Sequence, residues 1–150
     1  MLGTIFSELK LNHLLFVTIL AWSLAQLIKV FLGVIKTKKF DFRWLVGTGG
    51  MPSAHASGAS ALAITSGFDY GFNSGIFALA TVFAIVTMFD AQGVRRSTGS
   101  QAGILNRIME DIYWKGKIQE VRLKELIGHT PVEVIVGSII GILVAIIFHI

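Results

Sequence analysis

PSAHASGASALAITSGF, residues 52–68, is the segment on which the membrane topology turns. It is apolar enough to enter a bilayer, yet Ala, Gly and Ser stand where a lipid-facing span would carry Leu, Ile or Phe. Small residues four apart, as at Ala54 and Gly58, suit a helix packed backbone-close among others, so a central span is expected. It joins three plainer spans near 13–35, 72–91 and 131–149, each about the 20 residues a hydrocarbon core requires.

The whole chain supports a bilayer reading. Of its 150 residues 53% are hydrophobic and 15% charged, with a mean hydropathy of +0.71, outside the range of an ordinary soluble domain. The length supplies four short-looped spans and leaves nothing for a second core, so residues 1–150 read as one domain. The absence of cysteine excludes disulfides, thiolate metal sites and a cysteine nucleophile. A net charge of +4 would suit nucleic acid, but the basic residues flank apolar segments, where they meet lipid headgroups and orient the chain. Membrane lipids, not nucleic acid, are the expected partners. Glu8 and Lys10 precede an apolar stretch with no clear cleavage site, which reads as a retained first helix.

Orientation follows from the Lys and Arg content of the short loops. Residues 36–51 carry Lys36, Lys38, Lys39 and Arg43; residues 92–130 carry Arg95, Arg96, Arg107, Lys115, Lys117, Arg122 and Lys124; residues 66–74 and the C-terminal end carry none. Both termini are therefore expected outside, which four spans allow. Within 97–130, Ile104, Leu105, Ile108 and Ile112 recur at helical spacing and predict one or two interfacial amphipathic helices. The fold class is an all-α membrane bundle.

Polar clusters converge on the expected cytoplasmic face: Lys36 to Arg43, GGMPSAH at 49–55, DAQGVRRS at 90–97 and GHTPVE at 128–133. In GGMPSAH the glycines permit a tight approach, and Pro52, Ser53 and His55 are expected in a helix's first turn, where free N–H groups and the helix dipole favour an anion. Glu133 follows His129 by four residues, so a helix starting there stacks carboxylate on imidazole and sets its tautomer. The plainer readings are a capped helix with a surface histidine, and a His129–Glu133 pair that only orients its helix. His13 and His149 fall at the opposite face and read as interfacial anchors; Asp69 faces outward, and Asp90 reads as a partner for Arg95 or Arg96. Lys29 reads as snorkelling to the near interface and Gln26 as bonding a neighbouring helix.

Together these residues resemble the type 2 phosphatidic acid phosphatase and vanadium haloperoxidase superfamily, in a small divergent membrane branch. Lys36 and Arg43 match its lysine and arginine separated by six residues, with Trp44 in place of the following proline. Pro52, Ser53, Ala54 and His55 match its Pro-Ser-Gly-His. His129 matches its third-motif histidine, with Glu133 for the aspartate and Leu123 at the arginine position, flanked by Arg122 and Lys124. The resemblance implies a lipid-phosphate phosphohydrolase in which His129 attacks phosphorus, Glu133 orients it and His55 is the acid and base. Lys36, Arg43, Ser53 and a basic residue from Arg122, Arg95 or Arg96 would hold the phosphoryl oxygens, with no metal and no cofactor. The substrate would be a phosphorylated lipid and the location a bacterial cell membrane, with the site facing the cytoplasm and homo-oligomers left open. Two other readings stand: a catalytically inactive relative that binds anionic lipid or a protein partner, and, from DAQGVRR and Asp111, a metal-dependent CDP-alcohol phosphotransferase that lacks the paired aspartates of that class.

Overall fold

The computed structural model describes residues 12–40, 50–93, 101, 103–106, 109 and 129–150. They form four long helices, α1 (His13–Thr37), α2 (Ala54–Tyr70), α3 (Gly75–Gln92) and α4 (Pro131–His149), with no strand among the described residues. Helical backbone also occurs at 101, 103–106 and 109; the rest of the expected interfacial segment lies outside the described residues. Helices α1, α3 and α4 are long and apolar enough to cross a membrane, whereas α2, with 17 residues, is not among them.

Each helix starts at a residue whose side chain accepts from a first-turn N–H. Asn12 accepts from Leu15 N at 2.9 Å, Ser53 from Ala56 N at 3.3 Å and Ser74 from Phe77 N at 3.1 Å. Thr130 and Glu133 form a reciprocal capping box around Pro131 at the start of α4. The expected placement of Pro52 and Ser53 inside the first turn of α2 is corrected here. The helix begins at Ala54, because the Ser53 hydroxyl serves as cap and Pro52 lies before it. Gly71, at φ +90°, ends α2 and starts the tight turn into α3, where Phe72 packs edge-on against Phe68 and Phe77.

Helix α2 is the centre of the bundle and touches all three other helices, as its small residues predict. Eleven of its residues are buried, against three in α3. Gly137 and Gly141 of α4 face it, and a Cβ at either would overlap the carbonyl oxygen of Ser53 or Ser57. These two helices therefore meet at backbone distance. On the other side Gly58 packs beside Trp22, and Ser57 Oγ donates to Ala21 O at 2.9 Å, joining α2 to α1. Ala56, Ala91 and Val134 close the core at the end where α2 and α4 begin.

Candidate functional site

Since α2 and α4 run parallel in contact, their N-terminal ends lie together, and two backbone bonds fix the arrangement. Ser53 N–H donates to Glu133 O at 3.0 Å, and His129 N–H donates to Ala91 O at 3.0 Å. The first ties the entry of α2 to the first turn of α4; the second ties the residue preceding α4's cap to the last turn of α3. Two helix dipoles thus present their positive ends at one corner, favourable to an anion.

His129 is 1% exposed, and its Nδ1 lies 3.0 Å from Glu133 Oε2. The same carboxylate oxygen accepts from Thr130 N at 3.1 Å. An Nδ1–H donated to a carboxylate leaves the ring's lone pair on Nε2 and raises its basicity, the state a nucleophilic or basic imidazole needs. Glu133 therefore combines capping with orienting the ring. Ser53 is fully buried, with its hydroxyl engaged as the α2 cap. His55, half-buried, stands in the first turn of α2.

The structure brings His129, Glu133, Ser53 and the start of α2 together. Lys36 sits exposed in the last turn of α1. Arg43, Arg95, Arg96 and Arg122 lie outside the described residues. Among the described residues, no cluster of three or more His, Asp or Glu side chains is arranged to hold a metal ion.

The sequence reading missed Lys29. Instead of reaching for the interface, its Nζ turns back along α1 and donates to Gln26 Oε1 at 3.1 Å. Its stem runs past Gly50, within 3.8 Å of where a Cβ there would sit, and its charge lies in Coulomb range of Glu133. The available signal was an amide and an amine three residues apart inside an apolar span, a spacing that puts both on one helix face.

At the opposite end, His13 Nδ1 lies 3.0 Å from Asp69 Oδ2, His13 Nε2 lies 3.3 Å from Phe148 O, and His149 stacks on Phe68 with ring centres 4.0 Å apart. These outer histidines knit α1, α2 and α4 together, about 27 Å of helix away from His129.

The Divergent PAP2 family model matches residues 10–144, which takes in α1 to α3, most of α4 and the corner just described. The uncharacterised membrane protein YuiD of Bacillus subtilis (strain 168) is 38% identical over 151 residues, covering 93% of this chain and 96% of its own. No solved structure matches. A match across nearly the whole length, with the histidine-bearing starts of α2 and α4 inside it, shows that the chain belongs to the divergent PAP2 family.

Proposed function

We propose that this protein is a metal-independent lipid-phosphate phosphohydrolase, a four-span bundle with both termini outside and its site at the cytoplasmic face. In this reading α2 is the fourth span. It needs fewer apolar side chains than the others because neighbouring helices, rather than lipid, surround it. The observation that carries the reading is the His129–Glu133 contact at 3.0 Å, set where two parallel helices present their N-terminal ends.

The chemistry runs in two balanced steps. His129 Nε2 donates its lone pair to phosphorus, the bond from phosphorus to the lipid oxygen breaks, and His55 gives that oxygen its proton. Water, deprotonated by His55, then attacks phosphorus; the P–N bond breaks and inorganic phosphate leaves. Glu133 holds the imidazole and stabilises its positive charge. Ser53, a lysine of α1 and an arginine from among Arg43, Arg95, Arg96 and Arg122 neutralise the phosphoryl oxygens, the task metal ions perform in other phosphoryl-transfer sites.

A lipid suits the depth of this corner. Between α3 and α4 lies an open, mainly apolar cleft of about 330 Å³ whose lining includes Ile85, Met88, Phe89, Gln92, Val134 and Ser138, with Val134 the residue after Glu133. A hydrocarbon chain in that cleft would bring its headgroup to His129.

Phosphate release from a panel of lipid phosphates, with EDTA present, tests the reading. Phosphatidate, phosphatidylglycerophosphate and an isoprenyl pyrophosphate cover the chemistry. Release that survives EDTA in the wild type and is lost in both His129→Ala and His55→Ala is expected; loss with EDTA, or unaltered release in the variants, would sink it. A second reading, anionic-lipid or partner binding without hydrolysis, draws on the capping role of Glu133, which serves α4 whether or not His129 reacts. No release from any lipid, together with retained vesicle binding, favours it.

A further inference from the structure

The plainest lysine for a phosphoryl contact is Lys36, seven residues before Arg43, but its position does not favour it. It is exposed in the last turn of α1, about 10.5 Å along the helix from Lys29. Its placement is accounted for by the cytoplasmic charge bias alone.

We infer that Lys29, inside α1, is the lysine that holds the phosphoryl group in this site. The inference rests on the proposed reading in that it assumes a site for a phosphoryl anion. Two contacts place the ammonium, and a third residue lies within range of its charge. Its stem passes Gly50, the residue that leads into Pro52 and the α2 cap. Gln26, itself buried, fixes Nζ from one turn earlier at 3.1 Å. Glu133, the residue that orients His129, lies within reach of its charge.

A half-buried ammonium in a spanning helix is costly and calls for a partner. Gln26 takes one of its three donor hydrogens and leaves two for an anion. Glu133 is an incomplete counterion, because its Oε2 already accepts from Thr130 N and faces His129 Nδ1, and no Lys29–Glu133 ion pair closer than 4.0 Å occurs among the described residues. A phosphoryl oxygen at this corner would complete the coordination of Lys29 and the charge balance together. The ligand class is a tetrahedral oxyanion, whether a lipid phosphate headgroup or free phosphate.

The test is binding of orthovanadate, a phosphate mimic, to the purified full-length protein in detergent by titration calorimetry, alongside phosphate release. Lys29→Met is expected to weaken vanadate binding by about tenfold or more, as loss of a charge-assisted hydrogen bond does. Lys29→Arg should restore most of the affinity, Lys36→Met should cost less than Lys29→Met, and Lys39→Met should cost nothing measurable. In release assays the Lys29→Met defect should appear chiefly in KM. If Lys29→Met gives no folded bundle, Lys29→Gln, checked by circular dichroism, carries the same comparison.

Wild-type affinity in the folded neutral variant, the reverse ranking of Lys29 and Lys36, or no vanadate binding by the wild type would overturn the inference. The two readings fail separately. Lysine-dependent vanadate binding without phosphate release keeps Lys29 and removes hydrolysis, whereas undiminished release by Lys29→Met removes Lys29 and keeps hydrolysis. Saturation by free phosphate at the concentrations that inhibit lipid turnover would identify product as a ligand; protection by short-chain phosphatidate alone would identify the headgroup. Either ligand supports the site.

Discussion

Glu133 serves two neighbours with one oxygen, and the two services separate by chemistry. A glutamine amide oxygen still accepts from Thr130 N, so the α4 cap survives Glu133→Gln, but the negative charge beside His129 is lost. Glu133→Gln should therefore lower phosphate release by about a hundredfold or more while changing stability by no more than about 1 kcal/mol. Release assays paired with thermal unfolding in detergent check both. A loss of activity that merely tracks a lost fold would point to capping alone. Legibility at this scale was uneven. The His129–Glu133 contact was readable from the spacing of the two residues, but not its geometry: α4 begins at Pro131, so His129 meets Glu133 from before the Thr130 cap rather than from the same helix face. The setting of Lys29 was not readable, because it depends on Gly50, 21 residues away, passing beside its stem. Periodicity on α1 shows which face Lys29 shares with Gln26 but not what covers that face.

At the scale of helices, α1, α3 and α4 were legible from apolar length alone, and their ends fall within a few residues of expectation. Helix α2 was legible only through the size of its residues. The start of α2 was misplaced because two helix-start signals, Pro52 and Ser53, stand side by side, and the hydroxyl won. The α2–α4 seam rests on Gly137 and Gly141, where any side chain meets backbone, which cannot rotate away. Gly141→Leu should destabilise the bundle by about 1–3 kcal/mol or more, seen as a lower Tm in detergent, since overpacking here forces two helices apart. The substitution lies about 12 Å along α4 from Glu133, so an accompanying fall in phosphate release would report how far the seam governs the site.

For the whole molecule, the absence of native cysteine makes topology directly measurable. A single cysteine at Asn73, in the exposed turn between α2 and α3, should react with an impermeant maleimide on intact cells. One at Lys39 should react only after permeabilisation, and the opposite pattern would invert the orientation. The lysine and arginine loops made this expectation readable from composition. What composition could not convey is how the bundle is tied at both ends, by the His13–Asp69 contact at one and the Ser53–Glu133 backbone bond at the other.

That backbone bond also bears on how the protein is made. Ser53 emerges from the ribosome 80 residues before Glu133, the residue whose carbonyl it needs, and α4 is the last of the four helices to be synthesised. Until it arrives, α2 has an unmet N–H at its start, a defect worth about 1–3 kcal/mol if buried, and its glycine-facing surface has no counterpart. The nascent bundle thus lacks its seal until α4 is delivered, and a chain cut short before residue 131 is without both Glu133 and the helix that closes α2, leaving an unsealed surface for quality-control proteases rather than a smaller complete bundle.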